Sequence, residues 1–140
     1  MKILVAIDDS KSSEQIVPTM VSQFRVENAE VRVLHVLQPI APLAPPEMAE
    51  GYAPELEDLK APARKRVEQV AGELRSAGFK AESAVVVGDV RDTILASATD
   101  WHADLIVVGS HGQRGIQTFL LGSVAEFVAR HAKCSVEIIR

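Results

Sequence analysis

The sequence predicts an α/β fold: a doubly wound, three-layer domain around a five-stranded parallel sheet. Continuous apolar runs alternate with amphipathic helical patterns along the whole chain, the first run being Lys2–Ile7, and such runs are typical of strands buried on both faces. The 140 residues suit a single domain spanning residues 1–140. A composition of 47% hydrophobic and 24% charged residues indicates a globular rather than a disordered chain.

The first two strands are predicted at Lys2–Ile7 and Glu30–Leu37, with a helix between them. Ser12–Gln15 matches a capping box, so the helix is expected to begin there and to run to about Phe24. Pro18 lies inside this helix and is expected to kink it, because proline lacks the backbone donor.

A long surface loop is predicted after the second strand. Gln38–Pro54 holds five of the seven prolines and shows no hydrophobic periodicity, which argues against both a helix and a central strand. A loop of this length is uncommon in a compact domain and is usually functional or mobile.

A long amphipathic helix is predicted from Glu55 onward. Pro62 is expected to break or bend it, and Gly78 is expected to end it. Apolar residues recur at steps of three or four, which places them on one buried face: Leu56, Leu59, Ala63, Val67, Val70 and Leu74.

Three more strands complete the pattern. They are predicted at Lys80–Val87, Asp104–Val108 and Ser135–Ile139, with a helix capped by Asp89 between the first two and a helix at Val124–His131 before the last. Parallel strands joined by right-handed helical crossovers place helices on both faces of the sheet.

Composition and charge argue against several classes of protein. Fifteen basic and nineteen acidic residues give a net charge of -4, without the basic excess expected of a nucleic-acid-binding protein. No apolar run approaches the ~20 residues of a membrane span, and the first run is too short for a signal peptide, so a cytoplasmic protein is expected. Cys134 and the four histidines lack the spacing of metal ligands, so no metal site is expected.

Ligands of such sheets bind beyond the carboxyl ends of the strands, and the richest of these ends is the segment 109–115 (GSHGQRG), followed by Gly122 and Ser123. Glycine lets backbone N–H groups approach a phosphate, and the next helix N-terminus adds donors and partial positive charge. Ser123 begins a second capping box with Glu126. On the residues alone, turn-forming glycines and a Ser123 that only caps the helix explain the pattern equally well.

Two standard phosphate-binding motifs are absent from the chain. No G-x4-G-K-S/T segment occurs, which argues against a P-loop nucleotidase. No G-x-G-x-x-G segment occurs either, which argues against a Rossmann dinucleotide site.

The spacing Gly109-x2-Gly112-x9-Gly122-Ser123 resembles the nucleotide-binding signature of the universal stress proteins. The resemblance extends over the whole chain, through ILVAIDDS, LHV, VVVGD, IVVGSHG and LLGSVAEFVARHAKCSV. It implies the strand order 3-2-1-4-5 of that family. Because the branch that carries the signature binds ATP, it also implies an ATP ligand, with or without Mg2+.

The resemblance implies a role for each matching residue. Asp8 and Ala6 would face the adenosine, and the backbone of Val36 would pair with the edge of the adenine. Val108 and Gly109 would line the ribose. The remaining residues would enclose the phosphates or donate hydrogen bonds to them: Ser110, His111, Gly112, Gln113, Arg114, Gly115, Gly122, Ser123 and Val124.

Two departures from the family pattern bear on this interpretation. Asp9 stands where many members have glycine and adds negative charge beside the expected site. Family dimers often pair through the last strand, which implies a homodimer here, but Glu137 in that strand replaces a usual apolar residue.

The function expected on these grounds is that of a nucleotide-binding regulatory or stress-response protein with slow or no hydrolysis. His35 and His111 are general-base candidates, but no nucleophile with an orienting carboxylate is evident, so no catalytic residue is assigned. The alternatives are a dimeric interaction module of the same fold without nucleotide, and a flavodoxin-like FMN carrier, which the aromatic fraction of 4% disfavours. The sequence names no downstream protein partner.

Overall fold

The five strands form one parallel sheet in the order β3-β2-β1-β4-β5 in the computed structural model, which describes residues 1–38, 53–110 and 121–140. The predicted fold class and strand order are therefore confirmed. The strands are β1 (Lys2–Ile7), β2 (Glu30–Leu37), β3 (Lys80–Val87), β4 (Leu105–Gly109) and β5 (Ser135–Ile139). The helices are α1 (Ile16–Gln23), α2 (Ala53–Ser76), α3 (Val90–Trp101) and α4 (Ser123–His131).

Two apolar cores separate the sheet from its two helical layers. Alternate residues of a strand point to opposite faces, so in β1 Ile3 and Val5 join the core beneath α1 and α2, whereas Leu4 joins the core beneath α3 and α4. All three side chains are fully buried. Burial on both faces is why β1 is apolar from Ile3 to Ile7.

The segment before α1 differs from the prediction. A short 3-10 helix spans Lys11–Gln15, and α1 begins only at Ile16 without a side-chain cap, so the predicted capping box is wrong. Pro18 is therefore the third residue of α1. The N–H groups of the first turn have no acceptor within a helix, so proline costs no hydrogen bond there and the expected kink has no cause.

Helix α2 also corrects the prediction. It begins at Ala53, so Pro54 belongs to its first turn rather than to the loop, and it continues through Pro62 without interruption. Val67 and Leu74 are buried as predicted, but Leu59 is 40% exposed and does not belong to the buried face. Residues 39–52 of the predicted loop lie outside the described residues.

The remaining boundaries agree with the sequence to within one residue. β4 begins at Leu105 rather than Asp104, and Asp89 caps α3 by accepting a hydrogen bond from the N–H of Asp92 at 3.0 Å. Gly78 follows α2 with a φ of +103°, the left-handed region that glycine adopts freely. Across the described residues, no helix combines the length and apolar character needed to cross a membrane.

Candidate functional site

The carboxyl ends of β1, β2 and β4 bring three predicted residues onto one face of the sheet. Ala6 is in register with Val108 of β4, and both pack with Val36 in the core beneath α3 and α4. These side chains form an apolar floor at the edge where the strands end.

The backbone of Val36 extends past the end of β1. Glu30 donates its N–H to the carbonyl of Met1 at 2.9 Å, so even-numbered residues of β2 turn their backbone groups toward β1. The ladder between the two strands ends at the Ile7–His35 pair. The carbonyl of Val36 therefore points to the side of β1 at a level that β1 no longer occupies.

Asp8, directly after β1, is held by hydrogen bonds from the turn that follows it. The N–H of Ser10 donates to Asp8 Oδ1 at 2.8 Å. The hydroxyl of Ser13 lies within hydrogen-bond distance of three Asp8 atoms: the amide nitrogen, the carbonyl oxygen and Oδ1. The carboxylate of Asp8 is thus oriented by the fold itself.

Two buried polar atoms at the same end of the sheet have no hydrogen-bond partner among the described residues: Ser10 Oγ and His35 Nδ1. Since most buried polar atoms are hydrogen-bonded, such atoms indicate a place where water or a ligand supplies the partner. Burial lowers the pKa of His35, although the charge of Asp8 and the backbone of Ile7 act in the opposite direction. His35 is therefore a neutral imidazole near pH 7.

The negative charge of Asp9 is paired within the protein. Arg66, on α2, forms an ion pair with the Asp9 carboxylate. The ion pair offsets the negative charge of Asp9 beside the expected site and joins α2 to the segment that follows β1.

The N-terminus of α4 lies against the end of β4. Gly122 donates its N–H to the carbonyl of Ser110 at 2.7 Å, and Ser110 donates its own N–H to the carbonyl of Ile139 at 2.7 Å. Gly122, not Ser123, is the N-cap residue, and no side chain caps the helix. The predicted capping box of Ser123 and Glu126 is therefore wrong. As the first two residues of α4, Ser123 and Val124 have N–H groups without acceptors inside the helix.

The structure thus brings the predicted site residues of β1, β2, β4 and α4 to one end of the sheet, and it does not describe the predicted residues between β4 and α4. His111, Gly112, Gln113, Arg114 and Gly115 lie outside the described residues, and their roles stay predictions. Within residues 1–38, 53–110 and 121–140, no three His, Cys, Asp or Glu side chains cluster in a way that could hold a metal ion.

Sequence reasoning missed two residues at this end of the sheet. Ser13, five residues after Asp8, matches only a capping-box pattern in the sequence, and the structure shows its contact with Asp8. The local signal for a turn at Asp8 is Ser10, two residues on. Arg66 gives no local signal at all, because its pairing with Asp9 depends on how α2 packs across the sheet.

The chain matches the model of the universal stress protein family over residues 1–140. It is 34% identical to universal stress protein A homolog 2 of Coxiella burnetii, over 99% of this chain and 94% of that protein. Its fold is similar to that of the solved structure of protein MJ0577 of Methanocaldococcus jannaschii, with a TM-score of 0.85, 30% identity and coverage of 99% and 94% of the two chains.

A third similar structure is that of a universal stress protein in complex with cAMP. The two chains share a TM-score of 0.68 and 28% identity, over 100% of this chain and 96% of that one. The full-length match to the family model and the 34% identity to a curated member lead to one conclusion. The chain belongs to the universal stress protein family.

Proposed function

We propose that this protein is a nucleotide-binding regulatory protein that binds ATP at the carboxyl ends of its strands. The observation that carries the proposal is the N-terminus of α4, which has no side-chain cap and is joined to the end of β4 through Gly122 and Ser110. Uncapped N–H groups and the helix dipole favour an anion at such a place. The cAMP complex of a similar family member supports a nucleotide as that anion.

The described residues match the parts of an adenine nucleotide. The apolar floor of Ala6, Val36 and Val108 suits the flat face of a base, and the Val36 carbonyl is an acceptor for an exocyclic amino group. Asp8 offers a carboxylate oxygen to a donor of the nucleoside. Ser123 and Val124 offer backbone N–H groups to phosphate oxygens.

Slow or no hydrolysis is part of the proposal. Asp8 is held by Ser10 and Ser13 and is proposed to face the nucleoside rather than the phosphates, and Asp9 is paired with Arg66. His35 joins neither the floor nor α4, since it lies one residue before Val36 and its side chain therefore points to the opposite face. Among the described residues, none of these carboxylates and imidazoles is therefore suited to activating water at the phosphates.

The test is to identify what the protein carries and what it binds. Mass spectrometry of ligand released from the purified protein is expected to find an adenine nucleotide. Calorimetric titration is then expected to give tighter binding for ATP, with or without Mg2+, than for GTP. A protein that carries no nucleotide and takes up none of them would overturn the proposal.

We also propose a homodimer formed through β5. Ile139 accepts a hydrogen bond from Ser110 at the end of β4, so odd-numbered residues of β5 face β4 and the backbone groups of Val136 and Ile138 face outward. An unpaired strand edge favours pairing with a second strand, and two copies related by a two-fold axis would pair both edges at once.

Two observations support β5 rather than β3 as the proposed interface. The sequence raises Glu137 as an objection to this interface, but its carboxylate has a partner within the chain. When the Gln23 amide is oriented with its nitrogen toward Glu137, that nitrogen donates to Glu137 Oε1 at 2.8 Å. At the other edge, Arg75 covers part of β3 by donating from Nε to the carbonyl of Ala81 at 2.8 Å.

The alternative, a dimeric interaction module without nucleotide, uses this same edge and differs only at the α4 end. The net charge of -4 supports the further proposal that nucleic acid is not a partner. Location in the cytoplasm also stays a proposal.

A further inference from the structure

We propose that Ser13 is a positioning residue of the nucleotide site: its hydroxyl fixes the Asp8 carboxylate so that Oδ2 accepts a hydrogen bond from a donor group of the nucleoside. The inference rests on the proposed function and deepens it, because it identifies what selects the nucleoside. Nothing in the glycine signature points to Ser13.

The geometry around Asp8 is that of a carboxylate held in one orientation. Ser13 Oγ accepts the N–H of Asp8 at 3.2 Å. Its single proton is shared between the Asp8 carbonyl oxygen at 3.0 Å and Oδ1 at 3.3 Å. Ser10 adds a backbone donor to Oδ1 at 2.8 Å.

These bonds divide the two carboxylate oxygens by function. Oδ1 is occupied by donors of the chain, whereas Oδ2 accepts no hydrogen bond from the backbone and side chains that the structure describes. Because Asp8 directly follows β1, it lies at the same strand ends as Ala6 and Val36. A carboxylate that is held in one orientation and has one oxygen available can accept a hydrogen bond from a ligand at this place.

The chemistry of a carboxylate restricts what that ligand presents. An ionised carboxylate accepts hydrogen bonds and donates none, so Oδ2 favours an amino or hydroxyl group and repels a carbonyl oxygen. In an adenine nucleotide the candidates are the exocyclic amino group and the ribose hydroxyls. Ser10 Oγ, buried without a partner among the described residues, independently indicates that a polar group from outside the chain reaches the turn that holds Asp8.

Ser13 acts on the ligand only through Asp8, which makes its role testable. In Ser13→Ala the carboxylate keeps the Ser10 bond but loses its second restraint. We expect ATP to bind roughly three- to tenfold more weakly, because Ser13 acts on the ligand indirectly and its loss removes about the effect of one ordinary hydrogen bond. We also expect discrimination to fall, against ITP if Oδ2 accepts the amino group, or against 2′-deoxy-ATP if it accepts the ribose hydroxyl.

The experiment is calorimetric titration of each nucleotide into the wild type, Ser13→Ala, Ser13→Thr and Ser22→Ala. Threonine retains the hydroxyl and is expected to restore affinity. Ser22 is the matched control, because its hydroxyl bonds only the carbonyl of Thr19 on the exposed side of α1. In an Asp8→Ala background, Ser13→Ala is expected to add no further loss of affinity, and a thermal melt of each variant reports whether it is folded.

The outcomes separate the two proposals. If the wild type binds none of the three nucleotides, the proposed function fails and the role of Ser13 fails with it. If the wild type binds ATP but folded Ser13→Ala has the same affinity and the same discrimination, only the positioning role is overturned. An equal loss from Ser13→Ala with and without the Asp8 carboxylate also overturns it, because Ser13 would then act by another route.

Discussion

Replacing Gly122 with aspartate is expected to weaken ATP binding while stabilising the fold. Gly122 is the N-cap of α4 with φ -62° and ψ 152°, a conformation open to any residue. An aspartate there would accept a hydrogen bond from the N–H of Val124 or Ala125. Asparagine and aspartate are better caps than glycine by a few tenths of a kcal/mol, and the dipole adds about 0.3–1 kcal/mol for the charge, so the free energy of unfolding is expected to rise by about 0.5–1 kcal/mol.

The same carboxylate acts against a bound phosphate in two ways. It occupies a backbone donor, and a hydrogen bond to a charged group contributes about 1.5–3 kcal/mol. It also repels the phosphate: two unit charges about 5 Å apart at an effective dielectric constant of about 20 interact by about 3 kcal/mol. Together these effects predict a loss of affinity of at least about a hundredfold.

Calorimetric titration of ATP and urea unfolding of the same variants measure both changes. Gly122→Asn is the matched control, because it supplies the cap without the charge and is expected to lose about tenfold in affinity. Unchanged ATP affinity in folded Gly122→Asp would refute a phosphate site at α4. A fall in the free energy of unfolding would refute the capping argument.

Three further predictions concern the fold and its assembly. Leu74→Ala is expected to cost about 2–5 kcal/mol in urea unfolding and Leu59→Ala less than about 1 kcal/mol, because Leu74 is 0% and Leu59 40% exposed; equal losses would contradict the burial. Burial lowers the pKa of His35, so below about pH 6.5 the unfolded chain binds a proton that the native state does not bind. The free energy of unfolding is therefore highest above that pH and falls as the pH drops toward the native pKa. His35→Gln is expected to flatten this fall, and an unchanged pH profile would contradict it. Light scattering is expected to give a dimer for the wild type and a monomer for Ile138→Pro, whose lost N–H faces away from β4; a dimeric, folded variant would move the interface elsewhere.

The pattern of elements was predictable because it depends on local periodicity. Runs such as Lys2–Ile7 and Glu30–Leu37 are mainly apolar, as is typical of strands covered on both faces, and both are strands with those bounds. Asp89 and Gly78 were predicted as a helix cap and a helix end for backbone reasons that operate within a few residues, and both serve so.

The two errors in α2 share a cause, which is packing between distant segments. Pro62 was expected to break or bend α2, but the helix continues through it, with Val67 and Leu74 buried against the sheet beyond the proline. Leu59 has the right spacing for the buried face and is nevertheless exposed. Whether a helical position is covered depends on where the sheet ends, which spacing along the chain does not report.

The sequence by itself determined the order of strands and helices, the apolar faces and the glycine signature, because each is written in neighbouring residues. Only the tertiary structure decided how the candidate site is assembled. It joined Gly122 to Ser110 at the end of β4, paired Asp9 with Arg66 of α2 and closed the hydroxyl of Ser13 on Asp8. Such contacts depend on distance and direction in space, and a linear pattern specifies neither until the sheet has set the strand ends side by side.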